Sequence, residues 1–224
     1  MNDNQRGEDG QEIALEARQP EGVKLYSPSV ARNKEPLREV FQRLMPLSGQ
    51  ILEIASGTGE HGAHIAGAIP DLHWQPSDPD ATSRASISAW AEDVPDGRMA
   101  PPLALVTNEH GWWQSPAVPT DVTGVVCINM IHIAPFSAAE GLFEGAAALL
   151  SPGGKLFLYG PFKRRGVTAE SNERFDADLK RRDPAWGVRD LDDQIQPLGA
   201  RFAMQLTDIV EMPANNLSVV FEKG

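Results

Sequence analysis

The sequence predicts an α/β fold with a doubly wound, mainly parallel sheet whose last strand runs antiparallel. From Gln50 onward, short apolar runs alternate with helix-like patterns, which is typical of strand–helix–strand units joined by right-handed crossovers. The last two apolar runs are separated only by a turn around residues 213–215. That turn is too short for a crossover helix, so the final strand must return antiparallel.

The N-terminal part of the chain contains a polar segment and then a helical pattern. Residues 1–22 lack apolar periodicity and are predicted to be a disordered tail. In the segment that follows, Leu37, Val40 and Phe41 have the spacing of an apolar helical face, and Pro36 suits the first turn of such a helix. No linker or internal repeat divides residues 23–224, which are therefore predicted to form a single domain.

The remaining elements follow from alternating apolar runs and helical periodicity. The run around Cys127 is fully apolar, which is typical of a strand in a sheet that is covered on both faces. Strands are predicted at residues 50–55, 72–77, 102–106, 124–130, 155–160, 201–213 and 215–224, and helices at 61–69, 81–93, 137–150 and 171–196.

The composition excludes several classes of protein. With 224 residues, 41% of them hydrophobic, the chain can bury a sizeable core. The net charge of −11 argues against a nucleic-acid binder. No run approaches the roughly 20 apolar residues of a membrane span, and the polar N-terminus lacks a signal-peptide pattern. One cysteine provides no disulfide framework. We therefore predict a soluble cytoplasmic protein, monomeric or homodimeric, with no nucleic-acid or membrane partner.

The stretch 51–62, ILEIASGTGEHG, predicts a buried strand, a glycine turn and the start of a helix. In open α/β sheets, ligands bind beyond the carboxyl ends of the strands, where this turn lies. Gly57, Gly59 and Gly62 match the dinucleotide pattern GxGxxG, and Asp78 follows at about the distance of a ribose-binding carboxylate. Because the pattern is short, a plain tight turn also fits.

Glu53 favours a cofactor without phosphate. This carboxylate near the end of the first predicted strand would repel a pyrophosphate and would attract an ammonium or sulfonium group. S-adenosyl-L-methionine (SAM) carries both cations and no phosphate. Its ribose hydroxyls suit Asp78, which ends the second predicted strand. We therefore predict SAM as cofactor and S-adenosyl-L-homocysteine (SAH) as product.

Eight stretches carry a resemblance to a known family: YSPSVARNKEPL (26–37), ILEIASGTGEHG (51–62), WQPSD (74–78), CINMIHIAPFSAAEGLF (127–143), LYGPFK (158–163), ESNERFD (170–176), DPAWGVRD (183–190) and EMPANNLSVVF (211–221). The sequence resembles class I SAM-dependent methyltransferases, and more closely the methyltransferase-like family known as domain of unknown function 938. The resemblance implies a Rossmann-like seven-stranded fold, SAM binding and one methyltransferase domain over residues 23–224.

The chain departs from the methyltransferase pattern in two places. Ala55 stands where the first motif usually has glycine. No acidic group clearly ends the third predicted strand, where many relatives contact the adenine amine, so Asn108, Glu109 or a backbone carbonyl would have to take that role.

The candidate cofactor-binding residues follow from these motifs. Glu53 is expected at the methionine end of SAM, Asp78 at the ribose and Met130 against the adenine. Arg32 could pair with the SAM carboxylate as a planar fork. Each has a structural alternative, such as helix capping, turn formation, a solvated surface charge or core packing. The predicted cofactor-binding residues are Tyr26, Arg32, Glu53, Ala55, Ser56, Gly57, Gly59, Asp78, Pro79, Asn108, Asn129 and Met130.

Two residues are candidates for catalysis. His132 titrates in the range that suits a general base, although a histidine among apolar neighbours often only packs. Tyr159 could hydrogen-bond the substrate or border the sulfonium, or be a core tyrosine. No metal is predicted, because His61 and His64 lack further ligands. The predicted substrate-binding residues are His132, Tyr159, Asn172, Phe175, Trp186, Asn215 and Asn216.

The predicted function is methyl transfer from SAM to a nitrogen, oxygen or sulfur nucleophile of a small molecule. Two alternatives remain open from the residues. The GxGxxG pattern with Asp78 also fits an NAD-dependent oxidoreductase, and a SAM-binding module without catalysis would need the same cofactor residues.

Overall fold

The computed structural model describes residues 17–224. The chain begins there with a small antiparallel hairpin of β1 (Gln19–Glu21) and β2 (Lys24–Tyr26). The expectation of a tail through residue 22 is therefore wrong for residues 19–22, and residues 1–16 of that tail lie outside the described residues. Arg18 is buried and donates from Nη1 to the hydroxyl of Ser83 at 2.9 Å. This contact with a segment far away in the sequence orders the stretch around Arg18. Periodicity within the stretch itself could not predict it.

The first helix, α1 (Pro28–Leu44), begins eight residues earlier than Pro36 suggested. Proline is well tolerated in the first turn of a helix, and Pro28 occupies that position here. Pro36 lies inside the helix. The predicted apolar face is present, with Leu37 and Phe41 fully buried.

A six-stranded mixed sheet forms the centre of the fold, with strand order β4-β3-β5-β6-β8-β7. The strand β8 lies between β6 and β7 and is antiparallel to both, whereas β4, β3, β5 and β6 run parallel. The predicted α/β fold with an antiparallel last strand is confirmed. The strands are β3 (Gly49–Ile54), β4 (Leu72–Pro76), β5 (Val122–Ile128), β6 (Lys155–Pro161), β7 (Met204–Met212) and β8 (Asn216–Lys223), and the further helices are α2 (Glu60–Ala68), α3 (Ala81–Ala91), α4 (Phe136–Leu149), α5 (Glu170–Arg182) and α6 (Gln196–Arg201).

The prediction of a strand at residues 102–106 is wrong, because this segment forms only isolated bridges. Isolated parallel bridges join Met99 to Trp74 of β4 and Leu103 to Ser77, which directly follows β4. Pro101 and Pro102 lie between these two bridges, and proline has no backbone N–H to donate to a ladder. The edge of the sheet is therefore covered by an irregular segment where a seventh strand was expected.

Both faces of the sheet are covered by apolar side chains, as the apolar run around Cys127 predicted. Side chains alternate between faces along a strand. Accordingly, Leu52 packs with the α4 side of the molecule and Ile51 packs with Phe41 and Trp74 on the α1 side. Among the described residues, no helix is both long and apolar enough to cross a membrane.

Candidate functional site

The glycine turn after β3 contains three residues in the left-handed region. The φ angles of Ala55, Gly57 and Gly59 are 56°, 62° and 92°. Ala55 thus has the left-handed backbone that glycine usually provides at this position. Because alanine rarely adopts this conformation, Ala55 holds it at a steric cost. A Cβ atom on Gly59 would lie 2.9 Å from the Cα of Ile87 in α3. Glycine at position 59 thus lets α3 pack closely against the turn.

Asp78 lies at the end of β4 and is bonded to the same turn. Its Oδ2 accepts a hydrogen bond from the Gly57 N–H at 2.9 Å, and its Oδ1 accepts one from the Asp80 N–H at 2.9 Å. The side chain is only 7% exposed. Burial raises the pKa of Asp78 to about 6, and the two backbone hydrogen bonds oppose that rise. The carboxylate is therefore fixed where the turn and the carboxyl end of β4 meet.

Glu53 is buried on the side of the sheet that faces α1 and α2. Its Oε2 accepts a hydrogen bond from the indole N–H of Trp74 at 2.9 Å. Burial raises the pKa of Glu53 to about 7, and the Trp74 hydrogen bond opposes that rise. A Cβ atom on Gly62 would lie 2.8 Å from this oxygen, so the third glycine of the motif makes room for Glu53 and Trp74.

Ser56 connects the residues that follow the neighbouring strands β3 and β4. Its N–H donates to the Ser77 carbonyl at 2.8 Å, and its hydroxyl oxygen accepts from the Ser77 N–H at 3.2 Å. The Ser77 hydroxyl donates to the Glu53 carbonyl at 2.7 Å. Ser56 is thus part of the frame that sets the distance between Glu53 and Asp78.

An apolar cavity of about 120 Å³ lies beside the turn. Four of the predicted cofactor-binding residues line it, namely Ala55, Pro79, Asn108 and Met130. Asn108 belongs to the region where the adenine contact was expected. Apolar walls with few polar groups suit a flat heterocycle. The wall residues that sequence reasoning missed are Ile54, Leu105, Val106, Thr107, Ala134, Pro135 and Ala138.

Asn129 directly follows β5 and has the left-handed conformation, with a φ of 65°. Its N–H donates to the Tyr159 carbonyl at 2.8 Å. Its Oδ1 lies 3.1 Å from the position that a Cβ atom on Gly160 would occupy. The side chain is therefore directed toward the end of β6, beside the cavity.

His132 is a neutral, buried histidine that anchors a neighbouring loop. Its Nδ1 accepts a hydrogen bond from the Arg189 N–H at 3.2 Å, and its carbonyl accepts from the Gly187 N–H at 2.9 Å. Burial lowers the pKa of His132 to about 3. Because Nδ1 is an acceptor, the proton lies on Nε2, which has no hydrogen-bond partner among residues 17–224. This geometry favours the packing interpretation over a general base.

Tyr159 and Asn216 are brought together at the end of β6. The Tyr159 hydroxyl accepts from the Asn216 amide at 3.0 Å and from the Asn33 amide at 3.3 Å. The Oδ1 of Asn33 lies 2.8 Å from the Nε2 of His61. Residues of α1, α2, β6 and β8 thus meet in one polar cluster.

Asn172 and Asn215 contact each other and tie α5 to the turn between β7 and β8. The Asn172 amide donates to the Asn215 carbonyl at 2.9 Å, and the Asn215 amide donates to the Ser171 hydroxyl at 3.0 Å. Phe175 and Trp186 are half-buried in and after α5. The structure thus gives the two asparagines bonding partners within this part of the fold.

The predicted N-terminal cofactor residues lie apart from the cavity. Tyr26 packs edge-on against Trp90 of α3, with ring centroids 5.0 Å apart. Arg32 is exposed on α1, and its charge acts on the Tyr159 hydroxyl.

Arg18 is a neighbour of the site that sequence reasoning missed. Burial lowers the pKa of this guanidinium, and the nearby carboxylates of Asp78 and Asp80 oppose that fall. It lies in a polar segment without periodicity, so no local pattern marked it.

No metal cluster is present in the described part of the chain, since no three His, Cys, Asp or Glu residues are grouped to hold an ion. His61 is bonded to Asn33, and His64 lies 2.8 Å from the carboxylate of Glu35.

Solved methyltransferase structures share this fold at low sequence identity. An O-methyltransferase family protein from Burkholderia thailandensis aligns with a TM-score of 0.73 and 16% identity, over 88% of this chain and 57% of that one. An O-methyltransferase family 2 protein from Planctomyces limnophilus, solved with apigenin, aligns with a TM-score of 0.69 and 16% identity, over 88% and 59%. The SAH-bound form of CalO1, a methyltransferase in calicheamicin biosynthesis, gives 0.65 and 16%, over 88% and 54%.

This chain therefore spans less than two thirds of the length of each of these structures. At this identity the likeness establishes the fold, which is that of class I methyltransferases. A family model described as "Protein of unknown function (DUF938)" matches residues 24–223, nearly the whole described chain. The chain belongs to the DUF938 family, and the methyltransferase-like fold expected of that family is the one it adopts.

Proposed function

We propose that the protein is a SAM-dependent methyltransferase that acts on a small-molecule nucleophile. The observation that carries the proposal is the Asp78 carboxylate bonded to the Gly57 N–H at 2.9 Å. The next residue, Pro79, lines the apolar cavity, and the charge of Asp78 acts on the pKa of the buried Glu53. SAM contains an adenine ring, a ribose diol and a cationic end. The cavity would hold the ring, Asp78 would bind the diol, and Glu53 would bind the cation.

The cofactor would lie across the carboxyl ends of β3, β4 and β5. Its adenine would occupy the cavity between Pro79 and Met130. A carboxylate has about four lone-pair sites, and the two backbone donors to Asp78 leave room for two ribose hydroxyls. Glu53 would receive the ammonium group, directly or through water.

Catalysis would depend mainly on alignment. SAM held by Asp78 and Glu53 would supply a methyl group already activated by its sulfonium, and the protein would align a nucleophile with it. Holding the reactants in line can lower the barrier by roughly 7–11 kcal/mol. Residues near the carboxyl ends of β5 and β6, among them Tyr159, would orient the nucleophile.

Small molecules are the favoured substrates. The neighbours in fold include a protein solved with apigenin and a methyltransferase in calicheamicin biosynthesis. The net charge of −11 is unfavourable for a nucleic-acid substrate. A cytoplasmic location and a monomeric or homodimeric state stay predictions.

Calorimetry with SAM, SAH and NAD tests the cofactor. We expect SAM and SAH to bind and NAD not to bind. Binding of NAD alone would move the function to an oxidoreductase.

Methyl transfer is tested separately with tritiated SAM and extracts of small metabolites. We expect label in at least one product. SAM binding without any labelled product would favour a binding module that does not catalyse transfer.

A further inference from the structure

Four polar side chains form a directional hydrogen-bond chain beside the proposed nucleophile site. Because the Oδ1 of Asn33 faces the Nε2 of His61, His61 is the donor and the Asn33 amide nitrogen is directed to Tyr159. Asn216 donates to the same hydroxyl from the opposite side. The hydrogen bonds from Asn33 and Asn216 therefore meet at one oxygen, the Tyr159 hydroxyl.

The two amides occupy the acceptor positions of that hydroxyl. A phenol has one proton to donate and can accept about two hydrogen bonds. Among residues 17–224, no group receives the Tyr159 proton. Burial raises the pKa of Tyr159, so the proton is retained near neutral pH. Tyr159 is thereby left as a hydrogen-bond donor.

The location of this donor fits a reacting group. Tyr159 is paired with the half-buried Ile128 at the carboxyl ends of β6 and β5. Its ring shares the α1 side of the sheet with Trp74, which is bonded to Glu53. An atom hydrogen-bonded to Tyr159 would thus lie on the same side of the sheet as the proposed ammonium site.

We infer that the Tyr159 hydroxyl donates a hydrogen bond to an oxyanion nucleophile, and that the substrate is a small molecule with an acidic hydroxyl, such as a phenol or an enol. The inference rests on the proposed methyltransferase function. Hydrogen bonds to a charged acceptor are roughly twice as strong as those between neutral groups. Arg32, whose charge already acts on this hydroxyl, and the cofactor sulfonium add attraction for an anion.

The step balances without a general base. Solvent takes the substrate proton before the reaction, and the oxyanion lone pair then forms the oxygen–carbon bond. The carbon–sulfur bond breaks, its electron pair stays on sulfur, and neutral SAH is released with the methyl ether. Tyr159 keeps its proton throughout. This assignment agrees with the bonded Nδ1 of His132, which leaves that residue without a free lone pair.

His61, Asn33 and Asn216 are positioning residues in this scheme. Amide groups do not shuttle protons, so the chain serves to hold Tyr159 and not to conduct a proton. If Asn33 carried a carboxylate, it would accept the Tyr159 proton and divert the donor away from the substrate.

The test uses 4-nitrophenol bound to the SAH-loaded protein, because its ionised form absorbs visible light. Titration of the bound probe measures its pKa. We expect a fall of at least one unit relative to the free probe, which is about a tenfold gain in the ionised fraction. Tyr159→Phe and Asn33→Asp should abolish that fall while SAH affinity stays within about twofold.

Histidine variants test the positioning role. His61→Leu removes the donor to Asn33. In this variant the fall in the pKa of bound 4-nitrophenol should be several times smaller than in the wild type. His64→Leu, one turn further along α2 and bonded to Glu35, is the matched control and should leave the fall intact. Circular dichroism and SAH affinity check that each variant is folded.

The outcomes separate the two proposals. If the protein binds neither SAM nor SAH, the methyltransferase proposal fails. If SAH binds but 4-nitrophenol does not, the acidic-hydroxyl substrate class is wrong. An equal fall in the probe pKa in wild type and Tyr159→Phe would remove Tyr159 as the donor.

Discussion

The carboxylate of Asp78 and the backbone N–H of Gly57 are joined by a hydrogen bond of 2.9 Å. Asp78, two residues after the end of β4, is thereby fixed against the turn that follows β3. Two parts of the sequence separated by twenty-one positions thus form a single polar corner beside an apolar cavity.

Replacing Asp78 with alanine should weaken SAM binding by roughly 10- to 150-fold for each ribose hydroxyl that loses its partner. The reason is the loss of charge-assisted hydrogen bonds, which contribute about 1.5–3 kcal/mol each. Calorimetry measures the change, and circular dichroism checks the fold. Asp78→Asn keeps the shape and should lose less. An unaltered affinity in a folded alanine variant would remove Asp78 from the cofactor site.

The affinity for SAM should fall as the pH is lowered through 7. The pKa of the buried Glu53 carboxyl is about 7, so below that pH it must lose a proton before it can receive an ammonium group. One proton linked to binding changes the affinity by up to about tenfold per pH unit. Calorimetry from pH 8 to pH 6 should show this slope together with proton release.

The variant Glu53→Gln is the control for that slope, because it keeps the size of the side chain and cannot ionise. We expect weaker binding at pH 8 and a flatter pH dependence above pH 6. Below pH 6, the ionisation of Asp78, whose pKa is about 6, still contributes to the pH dependence of SAM binding. Identical slopes in wild type and variant would mean that Glu53 does not face the cation.

Gly141→Ala should destabilise the protein by several kcal/mol. A Cβ atom at this position in α4 would lie 1.8 Å from the Thr107 carbonyl oxygen, so backbone must move. Gly67→Ala in α2 is a matched control, since nothing lies within 4 Å of its Cβ position. That control should be stabilised by about 0.5–1 kcal/mol. Urea unfolding measures both, and equal effects would contradict the close α4 contact.

His132→Ala should lower the free energy of unfolding by about 2–5 kcal/mol, the usual range for large buried side chains. We expect the shape of any pH–rate profile between pH 6 and pH 9 to be unchanged, because a group with a pKa of about 3 is neutral throughout. Loss of one limb of that profile would restore His132 as a general base.

His132 should also contribute to acid sensitivity. Its folded pKa of about 3 lies below the usual 6.5, so the unfolded chain binds the proton first. The stability it contributes is present above pH 6.5 and is lost as the pH falls toward 3. Urea unfolding at pH 7 and pH 5 should show a smaller loss for His132→Gln than for wild type.

Local patterns predicted the parts of the site that are local in the chain. The strand, turn and helix over residues 51–62 follow from apolar periodicity and glycine spacing. The structure places Glu53 in that strand, bonded to Trp74, and bonds Asp78 to the turn at Gly57. The antiparallel last strand followed from the short turn before it. Such features depend on neighbours a few residues away, which a single sequence records.

Contacts between distant segments could not be predicted in the same way. The bond between Arg18 and Ser83 joins residues 65 positions apart, and the bond between Asn33 and Tyr159 joins residues 126 apart. The small residues Ala134 and Ala138 line the cavity without any polar feature that would mark them. The prolines at 101 and 102 were visible, but their effect depends on pairing with β4.

The insertion of β8 between β6 and β7 has a consequence for synthesis on the ribosome. Residues 204–212 can join the sheet only through the eight residues of Asn216–Lys223, which are synthesised after them. Until these residues emerge, β6 has an open edge and β7 has no partner strand. The sheet therefore cannot be completed until residue 223 has emerged, and a nascent chain that stops before residue 216 leaves β6 and β7 without the strand that joins them and exposed to aggregation.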